Sequence, residues 1–411
     1  TCMEFLKGNA VVGQSGGPTA AINATLAGVL EGFRDAAGGD DKFSVFGMRN
    51  GIEGFMRDEL IDLTPLARED VRLRDLAATP AAALGSCRKK LPEPERDGSM
   101  YEAIFDVIKR YGIRYFFYIG GNDSMDTVMK LSDYSKKVGY QLNVIGIPKT
   151  IDNDLEATDH TPGFGSAAKY VATVVKEIIR DTAVYTTKAV TVIEIMGRDA
   201  GWLTAASALT RLSGGDMADM TYLPERVFDP EKFIAKVRER LEVHPNVVVC
   251  VSEGVRLPDG RYVGASGGAS DVFGHTQLSG AGAVISHMVK KEIGCKTRSV
   301  ELSLTQRCAG HMLSGTDIAE AVEIGRAAVF EALRGGSGRM MVFVRNPGEY
   351  SVSIESRDIH NIANAVKHVP DGFINDDGDG VTDECLEYLA PLIIGEMLPV
   401  YDCGLPRHVI L

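Results

Sequence analysis

Short apolar runs alternate with amphipathic stretches along almost all of the 411-residue chain, and this alternation constrains the fold more than any other feature. Ala10–Val12, Phe43–Met48, Tyr115–Ile119, Leu142–Ile147, Ala189–Ile195, Val247–Val251, Ser299–Leu304 and Met340–Val344 read as buried strands. Between them, Ala20–Gly32, Tyr101–Tyr111, Ser124–Val138, Ser166–Asp181, Pro230–Val243 and Asp317–Leu333 show the spacing of helices with one apolar face. Gly112 and Gly139 stand where helices end. Strand–helix alternation builds parallel sheets covered by helices on both faces. The expected class is therefore α/β. The length supports two lobes, placed at 1–160 plus about 305–335 and at 161–304 plus about 336–411. Gly260–Gly282, rich in Gly and Ser, reads as a long loop.

Composition removes several classes of function. A net charge of −12 argues against general binding to nucleic acid or an acidic membrane, while leaving room for a local basic pocket. Seven scattered cysteines without a C-x-x-C pair fit a reducing cytoplasm, with neither a disulfide framework nor a zinc site. No apolar run approaches the roughly 20 residues that span a bilayer. No apolar segment of a signal peptide follows Thr1-Cys2-Met3-Glu4. The acidic run Asn375–Gly380 resembles the start of a calcium loop, but Leu386 stands where its twelfth-position glutamate is needed. An acidic turn capping the next helix is the better reading.

Three polar turns at strand ends carry the chemistry. Open α/β sheets bind ligands at the carboxyl ends of their strands. Gly13–Thr19 follows the first strand, and its glycines let backbone N–H groups approach a phosphate. It is no Walker loop, because no Gly-Lys-Ser/Thr follows. Gly120-Gly121-Asn122-Asp123-Ser124 follows another strand, where Asp123 or Ser124 could equally cap the next helix. Pro148-Lys149-Thr150-Ile151-Asp152-Asn153-Asp154 is the most specific. Carboxylates beside a cation suit phosphoryl transfer, where a protein chiefly positions groups and neutralises charge. Asp152 would accept the proton of an attacking hydroxyl, Asp154 would hold magnesium and Lys149 would offset donor charge. An Asx-rich turn accounts for Asn153 but not for Lys149.

With Met196-Gly197-Arg198, Ser252-Glu253-Gly254, Leu84-Gly85-Ser86-Cys87-Arg88, Gln306-Arg307 and Gly16-Gly17 with Asn23, these turns stand in the order found in one family. From about Gly13 to Arg307 the chain resembles the phosphofructokinases. That resemblance implies a phosphofructokinase-like fold, with the active site in a cleft between a phosphoryl-donor lobe and a sugar-phosphate lobe. It makes Asp152 the base that activates the 1-hydroxyl of fructose 6-phosphate. Thr150 contacts the same end of the sugar, and Met196, Gly197, Arg198 and Glu253 form its binding turns. Arg198 also lies close to the transferring group. Arg298 and Arg307 match residues that grip the 6-phosphate. Gly16, Gly17, Arg88 and Ser124 fall on the donor side. Magnesium is the implied cofactor, with Asp123, Asp154 and Asn122 as its candidate ligands. Members are homodimers or homotetramers in which basic residues cross the interface, a role that falls on Lys188 or its neighbour Ala189.

Two positions bear on the donor. Members that use ATP carry glycine where this chain has Asp123 and Lys149, and members that use pyrophosphate resemble this chain at both. An aspartate fills the space of an α-phosphate and repels it, by about 4 kcal/mol for unit charges ~4 Å apart at an effective dielectric of ~20. The expected donor is pyrophosphate, ahead of ATP and of a catalytically weak sugar-phosphate sensor. Three departures from the family pattern stand out. Asn122 replaces an aspartate, Leu304 replaces a histidine of the 6-phosphate grip, with His311 further on as a shifted substitute, and the borrowed basic residue is Lys188. His275, in the Gly-rich segment, is more readily structural than substrate-binding.

Overall fold

The computed structural model describes residues 5–37, 43–270, 276–278 and 280–411, with no side chains between 265 and 279, so His275 lies outside the described residues. Its strands are β1 (Asn9–Gln14), β2 (Val45–Met48), β3 (Leu60–Asp62), β4 (Ile113–Gly120), β5 (Asn143–Pro148), β6 (Ala189–Ile195), β7 (Met220–Tyr222), β8 (Asn246–Ser252), β9 (Ala265–Ser270), β10 (Thr276–Leu278), β11 (Lys296–Glu301), β12 (Leu313–Ser314), β13 (Arg339–Arg345), β14 (Val352–Asp358), β15 (Glu396–Met397), β16 (Tyr401–Asp402) and β17 (Leu405–Pro406). The helices are α1 (Ile22–Ala37), α2 (Gly51–Met56), α3 (Asp70–Ala77), α4 (Ser99–Arg110), α5 (Asn122–Lys137), α6 (Phe164–Thr182), α7 (Trp202–Ala206), α8 (Pro230–Val243), α9 (Ala281–Ile293), α10 (Thr305–Cys308), α11 (Gly315–Leu333) and α12 (Asp383–Leu389).

The molecule is α/β, with two principal sheets. The first has seven strands in the order β14-β13-β5-β4-β1-β2-β3, and the second four in the order β11-β6-β8-β7. Pairing is parallel throughout the second and in the middle of the first, whose two outer strands run antiparallel to their neighbours. The period-2 rule divides each core in two. Tyr115, Phe117 and Ile119 of β4 point into the cluster under α1 and α11, while Phe116 and Tyr118 point into the cluster under α2, α4 and α5. A second pair of clusters flanks the smaller sheet, one including residues of α6, α7 and α12, the other residues of α8 and α9.

Register brings the polar turns together. Gln14 is level with Ile119 and Ile119 with Ile147, so the turns after β1, β4 and β5 leave one edge of the first sheet side by side. On the second sheet Ile195 is level with Ser252, which does the same for the turns after β6 and β8.

Three expectations need correction. Arg339–Arg345 and Val352–Asp358 join the first sheet next to β5, so 336–411 is not wholly part of the second lobe. The rest of that segment divides. Val369, Ile374 and Leu386 enter a core of the second sheet, whereas Val409 and Leu411 pack against the first. The strand expected at Ser299–Leu304 is β11, which begins at Lys296 and ends at Glu301; Ser303 takes a left-handed φ of 46° and α10 follows. Gly260–Gly282 is not one loop: it holds the antiparallel pair β9 and β10 and the start of α9. Among the described residues, no helix is long and apolar enough to cross a membrane.

Candidate active site

The strand-end turns of both sheets line one cavity of about 680 Å³. Its walls include Gly16, Gly17, Arg88, Asn122, Asp123, Ser124, Lys149, Thr150, Asp152, Asp154, Met196, Arg198, Glu253 and Arg307. Hydrogen bonds of side chains and backbone hold the donor-side turns to one another. Gln14 donates to Asn23 Oδ1 at 2.9 Å and accepts from the Leu84 N–H at 2.9 Å, and Asn23 Oδ1 also accepts from the Ala83 N–H. Ser86 Oγ donates to the Gly16 carbonyl at 2.6 Å and the Gly16 N–H to Cys87 O at 3.0 Å. Arg88 is thereby carried to the glycine turn, where its guanidinium would lie 3.3 Å from a β-carbon placed at Gly17. Arg307 stands 3.1 Å from the same point, so a side chain at Gly17 would crowd both cations.

Helix α5 begins at Asn122, with Gly121 at its cap and no side-chain capping bond. The capping alternative for Asp123 and Ser124 therefore fails, since both lie inside the first turn. Asp123 faces Lys90 at 3.8 Å. Asn122 Oδ1 is buried and accepts no hydrogen bond, which is costly unless a cation or water completes it.

The turn after β5 is rigid. Asn153 adopts a left-handed φ of 54°, a conformation asparagine tolerates better than most residues. Its amide donates to the Tyr388 hydroxyl at 2.9 Å and accepts from the Thr161 N–H at 3.0 Å. Thr150 Oγ1 accepts from the Asp152 N–H at 3.1 Å. Lys149 is only 3% exposed and donates to the Gly17 carbonyl. Burial, with Arg88 and Arg307 nearby, pushes its ammonium down to about 7, against the pull of Asp152 and Asp154. Burial also pushes Asp152 up to about 8, helped by Asp154, Glu253 and Asp199 and opposed by Arg198. Asp154 is raised as well, again chiefly by burial.

Residues of the sugar-side turns interlock. Gly197 has φ 122° and its N–H donates to Glu253 Oε1 at 3.1 Å. The Glu253 N–H reaches Ile195 O at 3.0 Å, and Ser252 Oγ bonds the Gly197 carbonyl. A β-carbon at Gly254 would fall 1.9 Å from the Arg198 carbonyl, which explains why glycine must follow Ser252-Glu253. Gln306 Oε1 accepts from the Met196 N–H at 3.2 Å and so joins the turn that bears Arg307. Arg198 pairs with Asp199 at 3.1 Å. Burial raises the Glu253 carboxyl above its ordinary range.

Not every expected residue reaches the cavity of this single chain. Gly197 shapes it through its backbone without lining it. Arg298 is exposed on the edge strand β11, and Lys188 is exposed and paired with Glu242 at 2.8 Å; neither lines the cavity. Leu304 is 55% exposed, and His311, edge-on to Tyr170, does not line the cavity either. The acidic turn closes on itself, Asn375 bonding Asp379 at 2.9 Å, while the cap of α12 is Thr382. Sequence reasoning missed Asn364 and Val366, which line the cavity from a segment some two hundred positions beyond Asp152. No local sequence signal marks them; the left-handed turn at Asn364 shows only in the structure.

Two α/β lobes that direct a buried lysine, together with arginine and carboxylate groups, into one shared cleft define a phosphotransferase. The family model described as Phosphofructokinase matches residues 9–331, and the chain belongs to that family. It is 43% identical over 406 residues to the pyrophosphate–fructose 6-phosphate 1-phosphotransferase of Xanthomonas campestris pv. campestris (strain B100), covering 98% of this chain and 96% of the relative. The enzyme of the same description from Methylococcus capsulatus is also 43% identical, with the same coverage. Among solved structures, a pyrophosphate-dependent phosphofructokinase from Nitrosospira multiformis superposes with a TM-score of 0.87 at 39% identity, covering 98% of this chain and 96% of the other.

Proposed function

We propose that this enzyme reversibly transfers a phosphoryl group from pyrophosphate to the 1-hydroxyl of fructose 6-phosphate, giving fructose 1,6-bisphosphate and phosphate. The observation that carries the reading is Lys149, buried at the end of β5 and aimed at the Gly17 carbonyl, in the same cavity as Asp123. A buried ammonium there receives the charge of a small inorganic leaving group, and Asp123 repels the additional phosphate of a nucleotide. The names of the relatives above agree with this donor.

In this reading Asp152 takes the proton of the sugar 1-hydroxyl as its oxygen attacks the terminal phosphorus of pyrophosphate. The bond from that phosphorus to the bridging oxygen breaks, and the electron pair leaves with phosphate. Arg198, next to Asp152, favours the ionised base and offsets charge on the transferring group. Lys149 and Arg88 hold the leaving phosphate. Met196, the Gly197 backbone, Glu253 and Thr150 orient the sugar, and Arg307 holds its phosphate. Lys188 and Arg298, exposed and away from their own cavity, are the groups we assign to a neighbouring copy's sugar site in a homodimer or homotetramer.

The donor set also fits magnesium, which binds through one or two carboxylates together with substrate phosphates. Among the described residues no cluster of three histidine, cysteine or carboxylate side chains forms a complete site. Asp123, Asp154 and the unpartnered Asn122 oxygen share the cavity and would hold the ion. When bound with pyrophosphate, it supplies neutralising charge to the phosphoryl oxygens.

The deciding experiment is a steady-state assay of the purified enzyme with pyrophosphate or ATP as donor, run forward and in reverse. Turnover with pyrophosphate and little with ATP is expected, and the opposite preference overturns the proposal. Asp123→Gly with Lys149→Gly should shift the preference toward ATP.

A further inference from the structure

Residues 361–369 form a strap that crosses from the first lobe to the second beside the cavity, and no sequence motif announces it. At its start Ile359 and Ile362 are buried in the core under α5. The chain turns at Asn364, whose φ is 68°, and the Asn364 amide donates to Asp126 Oδ1 at 3.1 Å. Asp126 lies one helical turn after Asn122 on the same face of α5, and Lys130 fixes it at 2.9 Å. Further on, the Lys367 N–H donates to the Asp154 carbonyl at 2.8 Å, and Lys367 Nζ to the carbonyls of Thr158 and Asp159 at 2.9 Å each. The Trp202 indole donates to the Lys367 carbonyl at 3.0 Å and the Val369 N–H to Glu225 Oε1 at 3.0 Å. Bonds to α5, to the carboxylate turn and to the second lobe thus hold the strap in place, and Asn364, itself one of the anchors, and Val366 face the cavity.

We infer that Asn364 and Val366 are donor-specificity residues that close the donor end of the cavity to a nucleoside. This rests on the proposed pyrophosphate donor. The turns after β6 and β8 line the cavity from the second sheet and the donor turns from the first, so a donor longer than pyrophosphate extends away from the sugar turns, past the first turn of α5. Asn364 is bonded to the next turn of that helix, and Val366 adds an apolar wall beside it. Asp123 and the strap then reject ATP by different means. Asp123 acts on charge, and so opposes any donor with a third phosphate. The strap acts on volume, and so opposes only donors that carry a nucleoside.

Calorimetric binding of ATP and of inorganic tripolyphosphate to the full-length protein, both with magnesium, separates the two. The proteins are the wild type, Asp123→Gly/Lys149→Gly, and that double variant with either Val366→Ala or Asn364→Gly/Val366→Ala. Opening the strap in the charge-relaxed background should tighten ATP roughly tenfold or more, the scale at which a pocket discriminates by volume. Tripolyphosphate affinity should stay unchanged between the same proteins. ATP and tripolyphosphate tightening together, or neither responding, overturns the assignment. Glycine is compatible with the left-handed turn at 364, and Val366→Ala alone keeps every backbone bond of the strap, so it still reports if the larger change impairs folding. The donor reading is judged separately, by wild-type turnover: activity with ATP and none with pyrophosphate would refute it, while the ATP to tripolyphosphate ratio would still decide the role of the strap.

Discussion

Lys149 is subject to opposing demands. As a buried ammonium it is poorly solvated and pushed down to about 7, yet only its charged form attracts a phosphate. The sign of the pH dependence follows. Its contribution to pyrophosphate affinity is full well below pH 7 and fades as the pH rises through that value. Titrating pyrophosphate into wild type and Lys149→Met from pH 6 to 9 checks this, because the ligand's own ionisation cancels in the ratio. The affinity gap should narrow as the pH rises, and a constant gap would contradict it. Asp152 offers a sharper test. Asp152→Asn keeps the shape and removes the proposed proton acceptor, so forward kcat should fall about 10²- to 10⁴-fold with a much smaller change in the KM for fructose 6-phosphate. That both residues line the cavity was legible in the sequence, because a lysine and two carboxylates crowded after a buried strand have few structural uses. Asn364 and Val366 were not, since their place depends on a tertiary path with no local pattern.

At the scale of elements, α1, α4, α5, α6, α8, α11 and the central strands were legible because an apolar pattern ran through each, whereas α9 and the short helices α2, α3, α7, α10 and α12 were not. The edge elements were not: β14 reads Val-Ser-Ile-Glu-Ser-Arg-Asp, and only its pairing with β13 makes it a strand. How closely two helices approach also escapes a pattern of apolar positions. Helices α1 and α11 cross backbone to backbone, and a β-carbon at Gly28 would fall 2.0 Å from the Val322 carbonyl. From the other side, one at Gly325 would fall 2.3 Å from Thr25 O. Neither helix can yield without disturbing the core beneath β1 and β4. Gly28→Ala should therefore destabilise the protein by about 1–3 kcal/mol or more despite the better helix propensity of alanine. Gly372→Ala is the control, because nothing lies within 4 Å of its β-carbon position, and it should stay within about 0.5 kcal/mol. Urea denaturation of both variants beside the wild type measures the difference. Equal midpoints would show that the crossing relaxes freely.

The whole molecule depends on the join between its sheets, which composition could not locate. A buried polar hub stands there. His160, 3% exposed, bonds Asp159 through Nδ1 at 2.8 Å and Glu320 of α11 through Nε2 at 3.0 Å, and its ring stacks on Phe343 of β13 at 4.7 Å. Arg345 reaches Asp159 at 3.0 Å, and the Tyr350 hydroxyl donates to Glu320 at 2.7 Å. The hub therefore fastens the segment that leads from the carboxylate turn into α6 onto the strands that return to the first sheet. Burial alone would lower the His160 pKa, but its hydrogen bonds to Asp159 and Glu320 prevail and raise it above the ordinary 6.5. A folded-state value raised above the unfolded one gives stability that is complete below the unfolded value and disappears as the pH rises through the folded one. His160→Gln keeps a polar side chain and cannot carry the proton. Its destabilisation should be largest near pH 6, about 3 kcal/mol at the low end for a broken buried ion pair because Arg345 and Tyr350 still serve the two carboxylates. It should shrink as the pH rises above neutral. Urea unfolding of both proteins from pH 6 to pH 9 follows this difference, and a gap that widens with pH would mean that His160 folds as the neutral ring.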